Sequence, residues 1–190
     1  MDEDKQDRRT LRTQEMLIRA LLELIEKTHY DQITVKDIVE QANVGRSTFY
    51  AHYQNKDELL IGGFEHMLNM LVQHIDFSAG EQLTIDTSML FKHAQGHFEI
   101  YRTLIWGSGF ELLIQDGHAV LSQKIEDRLK ILIPSDENIQ VPLSILAYIV
   151  AGALLVLLKW WLDNKLPYAP EQMDEFFQLI MMPGIRSALD

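Results

Sequence analysis

The sequence predicts an all-α fold, in which a small N-terminal group of short helices is joined by one long helix to a larger helical C-terminal region. Three observations carry this expectation. Leucine occurs 27 times and valine 8 times, a ratio that favours helix over sheet. Glycine (10) and proline (5) are sparse. Apolar residues recur at helical spacing along almost the whole chain. A length of 190 residues fits one domain, or a small domain fused to a larger one, and supports a core without staples. Apolar residues at 47% and charged residues at 24% exclude disorder and collagen-like structure. Cysteine is absent, so disulfides, thiolate zinc sites and thiol chemistry are excluded.

In the first segment Leu11, Ile18, Leu21, Leu22 and Ile25 fall on one stripe, with Thr10 as the expected N-cap and His29-Tyr30-Asp31 at the end. A short helix from Val35 to Gln41 follows. Thr34 caps it and Asp37 stands three residues on, a capping box with aspartate in the usual glutamate slot. Ala42-Asn43-Val44-Gly45 is turn chemistry, and a second short helix runs from Arg46 to Tyr53. A long helix is expected from Lys56 to about Ile75, burying Leu59, Leu60, Phe64, Met67, Leu71 and Ile75. Phe77 to Gly80 reads as a loop. Helices are then expected over Ile85–Ile105 and Phe110–Leu132, broken at Gly107-Ser108-Gly109. Further helices cover Pro142–Asp163 and Glu171–Met182, and Pro183-Gly184 interrupts the end.

The apolar run Leu143–Leu158 is 16 residues long, short of the about 20 that a membrane span needs, and reads as a buried helix. A helix apolar all round needs cover on every side, and a second subunit is the natural cover. Ala151, Gly152, Leu155 and Leu158, with Phe176 and Leu179 of the last helix, are the expected dimer contacts. A central helix of a monomeric bundle is the alternative. The N-terminus is charged and lacks the apolar core of a secretory signal, so a cytoplasmic location is expected.

The net charge of −11 argues by itself against nucleic acid as a partner. Between Arg8 and Lys56, however, 8 basic residues meet 6 acidic ones, behind an acidic leader from Asp2 to Asp7. Any nucleic-acid site must therefore come from local arrangement. Two short helices joined by a tight turn and braced by a preceding helix form a helix-turn-helix pattern. Ile38, Val39, Ala42, Val44 and Phe49 supply its small core. Arg46, Ser47, Thr48, Tyr50, Ala51 and His52 are left outside, mostly donors of the kind that read a major groove.

The stretches Ile33-Thr34-Val35-Lys36-Asp37-Ile38, Ala42-Asn43-Val44-Gly45-Arg46-Ser47-Thr48-Phe49-Tyr50-Ala51-His52-Tyr53 and Asn55-Lys56-Asp57-Glu58-Leu59-Leu60 closely resemble the DNA-binding region of the tetracycline-repressor (TetR/AcrR) family. The resemblance covers about residues 10–60. Beyond it the chain is similar in layout, and Trp160-Trp161-Leu162-Asp163-Asn164 looks like one regulatory-domain subtype. The resemblance implies a helix-turn-helix DNA-binding domain over 1–55 and an effector-binding and dimerisation domain over 56–190. It implies that Thr34 caps and touches a phosphate, and that Lys36 reaches a base or phosphate. Arg46, Ser47 and Thr48 would meet bases, Tyr50 and His52 the backbone or a thymine methyl, and Lys56 a phosphate. Gly45 departs from the family's more usual polar residue and shifts base readout toward Arg46. The acidic leader replaces a basic arm, although Arg8, Arg9 and Arg12 remain for phosphates.

His93 and His97, four apart, either share a metal, line a pocket or sit in the core; with no cysteine and no evident third ligand, no metal site is assigned. Phe98, Tyr101, Trp106 and Phe110 flank the glycine break and, with the two histidines, form the candidate effector group, with plain core as the alternative. No Lys or Arg lies on this stripe, so the expected effector is small, apolar or aromatic, and neutral or cationic. No phosphate loop, Gly-x-Ser-x-Gly or His-Glu-x-x-His occurs, so neither an enzyme nor a cofactor is expected. The expected function is a dimeric, ligand-responsive repressor of a near-palindromic operator in double-stranded DNA. The rivals are an adaptor or coactivator of the same fold working through protein contacts, and a carrier of hydrophobic molecules.

Overall fold

The computed structural model describes residues 3–72, 77–79, 83–105, 107–133 and 139–189, and it divides the chain into two compact units. The first comprises Met1–Phe64 and Glu99–Leu113, the second Glu65–Phe98 and Ile114–Asp190. The all-α expectation holds, with one short two-stranded ribbon added.

In the first unit, α1 (Glu3–Ile25) buries Leu17, Ala20, Leu21 and Ile25. The helix begins well before Thr10, which therefore sits inside it and caps nothing. Leu11, expected on the inner stripe, is exposed in these early turns, while Leu17 takes the inner position. A single 3₁₀ turn, Tyr30–Gln32, leads to α2 (Val35–Gln41) and α3 (Arg46–Tyr50). The latter ends three residues earlier than the pattern suggested. Tyr30, Ile38, Phe49 and Leu59 are fully buried and join α1 in one small core. α4 (Lys56–Val72) buries Leu59, Leu60, Phe64 and Leu68. Met67 and Leu71 are half-buried, and Ile75 lies outside the described residues.

The second unit begins with the last turns of α4, from Glu65 and including Leu68, and continues with an antiparallel pair where a loop was expected: β1 (Phe77–Ala79) faces β2 (Leu83–Ile85), with Phe77 opposite Ile85. The expected helix Ile85–Ile105 is two helices, α5 (Ser88–Gly96) and α6 (Phe98–Ile105), parted at His97, whose φ of −117° and ψ of 27° leave the helical range. α6, apart from Phe98, lies in the first unit, as do the opening turns of α7 (Ser108–Leu132). α8 (Leu143–Asp163) and α9 (Pro170–Leu189) complete the second unit. α9 runs through Pro183 and does not stop there. Leu179, whose carbonyl would clash with the proline ring in an ideal helix, is on the exposed side, where a bend is easily absorbed.

The core of this unit is anchored by Phe91 of α5 against Trp161 of α8, edge to face at 5.4 Å. Phe177 and Met173 of α9 are buried with them. The buried Asp174 carboxylate accepts from the backbone N–H and the hydroxyl of Thr87 (both 2.7 Å) and from Gln178 (2.7 Å). A side chain of α9 thereby caps α5 from a distance in sequence. α8 is long and apolar enough to cross a membrane by length and composition, yet less than half of its most apolar window is buried. Its exposed residues, Ile145, Tyr148, Ile149, Val156 and Trp160, recur at three- and four-residue spacing and form one stripe, continued on α9 by Phe176, Leu179 and Ile180.

Candidate nucleic-acid interface

The interface is built on α2, its turn and α3. Thr34 caps α2 reciprocally: its hydroxyl accepts from the Asp37 N–H (3.3 Å), and the Asp37 carboxylate accepts from the Thr34 N–H (2.9 Å) and hydroxyl (2.6 Å). The expected aspartate-for-glutamate capping box is present. These hydrogen bonds hold the Asp37 carboxyl below its ordinary range. The turn depends on Asn43, whose φ of 53° is left-handed and easier for asparagine than for branched residues. The Val44 N–H then returns to the Val39 carbonyl at 3.0 Å.

Phe49 anchors α3. It is fully buried, with Tyr53 6.1 Å away and Tyr50 edge-on at 5.4 Å. One inward phenylalanine on a single-turn helix fixes the opposite face outward. Arg46, Ser47 and Ala51 are exposed, Thr48 and His52 are half-exposed, and Tyr50 is 58% exposed. Thr34 and Lys36 are exposed on α2, and Lys36 approaches Glu40 at 3.8 Å. The face thus offers a guanidinium, two hydroxyls, a phenol and an imidazole, and its shortest helix fits a groove about 12 Å wide.

Lys56 is differently placed. Its ammonium donates to the Tyr30 carbonyl at 2.7 Å and lies 4.4 Å from the centre of the Tyr30 ring. The Tyr30 hydroxyl in turn meets Asp57 Oδ1 at 2.5 Å, and burial together with this carboxylate pushes the phenol pKa up. α4 is capped by Asn55, which accepts from the Glu58 N–H (2.8 Å), while Glu58 accepts from the Gln54 N–H (2.6 Å). Pattern reading missed Tyr30 and Asn43. The clues were an aromatic residue in the His29-Tyr30-Asp31 helix stop and an asparagine in a four-residue turn.

The candidate effector residues are divided between the units. His93, His97 and Phe98 belong to the second, with the two imidazoles 4.5 Å apart and tilted by 47°. Burial, then the neighbouring His97, lowers the His93 pKa to about 4. Tyr101 and Phe110 are buried in the first unit, and Trp106 lies outside the described residues. Among the described residues no group of three potential metal ligands occurs. Of the candidate dimer contacts, Ala151, Leu155 and Leu158 are buried inside the second unit, Gly152 is half-buried, and Phe176 and Leu179 are exposed.

Residues 17–62 match the family model described as bacterial regulatory proteins, tetR family. The chain is 39% identical over 80 residues to the HTH-type transcriptional regulator YxbF of Bacillus subtilis, and 37% identical over 59 residues to DhaS, the dhaKLM operon transcriptional activator of Lactococcus lactis. These matches take in 41% and 31% of this chain, but 21% and 32% of the relatives, well under two thirds of their length. Solved structures extend the likeness over the whole fold. A TetR transcriptional regulator from Streptococcus agalactiae superposes with a TM-score of 0.57 at 25% identity, covering 95% of this chain and 99% of that one. FadR from Bacillus subtilis, in complex with stearoyl-CoA, shares the fold with a TM-score of 0.57 at 16% identity over 90% and 98%. Residues 17–62 thus carry the helix-turn-helix described by the tetR family of bacterial regulatory proteins, and the chain as a whole shares the fold of the Streptococcus agalactiae regulator.

Proposed function

We propose that this chain is a cytoplasmic, dimeric, effector-responsive transcription regulator that reads a near-palindromic operator through one α3 from each subunit. The observation that carries the reading is Phe49, whose burial turns Arg46, Ser47, Thr48 and Tyr50 outward on one short helix, with His52 just beyond its end. Arg46 is the residue for a guanine edge, Ser47 and Thr48 serve adjacent bases, and Tyr50, His52, Thr34 and Lys36 serve backbone or methyl groups. Residues 1–55 form the reading domain and 56–190 the sensing and pairing domain. The apolar stripe on α8 and α9 is the pairing face, with Gly152 near its middle, and the outcome is a four-helix interface. Two copies then hold two reading helices one turn of DNA apart.

For the effector, the reading is a small apolar or aromatic molecule, neutral or cationic, held near His93, His97 and Phe98 of the second unit. Three lysines of the second unit are paired with carboxylates, which supports a site poor in free positive charge: Lys92, Lys130 and Lys159 stand within 3.1 Å of Glu171, Glu126 and Asp163. An acyl-CoA of the kind bound by FadR would bring several phosphates to this acidic chain. Effector binding shifts a population between two separations of the reading helices and releases the operator. Activation is the second reading, favoured by the likeness to DhaS, which is named an activator. A footprint of the purified protein on the DNA upstream of its own gene tests the proposal. Protection of two half-sites about 10 base pairs apart supports it, and absence of any protection sinks it in favour of a protein-contact adaptor.

A further inference from the structure

Gly109 stands inside the first turn of α7, where alanine is the better helix former. Space explains it. A Cβ there would lie 2.6 Å from Leu104 Cδ2 and 3.1 to 3.2 Å from two atoms of the Tyr30 ring. The turn before it lies close to the 3₁₀ turn Tyr30–Gln32. A Cβ on Gly107 would lie 3.1 Å from Asp31 Oδ2, and Asp31 accepts from the Ser108 hydroxyl (2.5 Å) and N–H (3.3 Å). The start of α7 is therefore seated on Tyr30-Asp31, and both glycines are conditions of that seat.

Tyr30 is held on several sides at once. Its ring leaves no room for a side chain at Gly109, Asp57 takes its hydroxyl, and the Lys56 ammonium is bound by its carbonyl and lies against its ring. An ammonium has three N–H donors. The Tyr30 carbonyl takes one and the ring attracts the charge, so the remaining donors are fixed in direction before any ligand arrives. A free lysine side chain would give up rotamer freedom on being fixed. This one has already done so, at the first residue of α4, next to the reading helix.

We propose that Tyr30 is a positioning residue for DNA binding: it presents the Lys56 ammonium to an operator phosphate, and Gly109 keeps Tyr30 in place. The inference rests on the DNA-reading function proposed above. It assigns a role in binding to a residue outside the helix-turn-helix and to a glycine on α7, neither of which touches DNA.

The experiment measures the salt dependence of binding to a duplex selected by the native protein from a random-sequence pool. Lys56→Gln removes one phosphate contact per subunit and should flatten the slope by about one ion per subunit. Gly109→Ala changes no charge, yet should flatten the slope in the same direction. The double variant should bind no more weakly than Lys56→Gln alone. Circular dichroism and the melting temperature check that each variant is folded. Tyr30→Phe, which keeps ring and carbonyl and loses only the Asp57 bond, provides the same test with less disturbance and should also reduce the slope. A slope unchanged in both Gly109→Ala and Tyr30→Phe, or losses additive with Lys56→Gln, overturns the positioning role while leaving the DNA reading intact. Failure of the native protein to enrich any duplex overturns the DNA reading and this inference with it.

Discussion

At the scale of single residues, the proposed reading and the folding fall to different side chains of the same short helix. Phe49 is buried and Arg46 is exposed three residues away. Arg46→Ala should leave the melting temperature within a degree or two, because surface substitutions cost little. It should weaken binding to the selected operator by about 1–3 kcal/mol and relax preference at one base position. Quantitative band shifts on single-base operator variants check this, and unchanged preference removes Arg46 from the readout. Thr34 serves the fold as well, since its N–H and hydroxyl hold Asp37 while the residue stays exposed. Thr34→Ala should cost about 1 kcal/mol of stability through the lost cap, seen as a lower urea midpoint.

Single helices carry the next set of consequences. In α5 the pKa of His93 lies near 4 in the folded protein, against an ordinary value of 6.5. Between those values the unfolded chain binds more protons than the folded one, so stability is lost as pH falls from 6.5 toward 4. The carboxyls held below their ordinary 3.8, Asp31 and Asp37, act at lower pH, so the two windows separate. His93→Gln should flatten the fall in melting temperature across pH 6.5 to 4, and an identical profile would contradict the assignment. In α8, Gly152 leaves room for the His118 ring, since a Cβ there would stand 3.2 Å from Nε2. That nitrogen donates to the Tyr148 carbonyl at 2.9 Å. Gly152→Leu should displace His118 and crowd the exposed stripe, giving a lower melting temperature and weaker self-association together.

Over the whole molecule, the exposed stripe of α8 and α9 is the pairing face of the proposed dimer. Val156 is 66% exposed and Leu179 76%, on helices that otherwise bury their apolar faces. Contiguous apolar surface of this kind is the usual mark of an interface. Sedimentation of the native chain at micromolar concentration should give a dimer. Val156→Glu with Leu179→Glu should give folded monomers that bind a single half-site weakly, because the second reading helix is lost. A native monomer would remove the pairing face from the proposal. The same scale sets the effector class: a phosphorylated or polycarboxylate metabolite that released the operator would contradict the neutral or cationic reading.

Local chemistry alone determined much of this protein. The helix-turn-helix was legible because capping at Thr34-Asp37, the turn at Ala42–Gly45 and the inward Phe49 are short-range effects, written within a few residues of each other. The helical class followed equally from composition and period. Other features could be settled only by tertiary structure, because they depend on residues distant in sequence. Lys56 was read as a solvated phosphate ligand, but its orientation is set by Tyr30, 26 residues away. The glycines before Phe110 looked like a flexible break, whereas Gly107 and Gly109 mark close approach to Tyr30 and Asp31. On α8, a helix apolar on nearly every side has no period to reveal its outer face. Packing within the unit chose it, burying Ala151, Leu155 and Leu158 and leaving Ile145, Tyr148, Val156 and Trp160 outside.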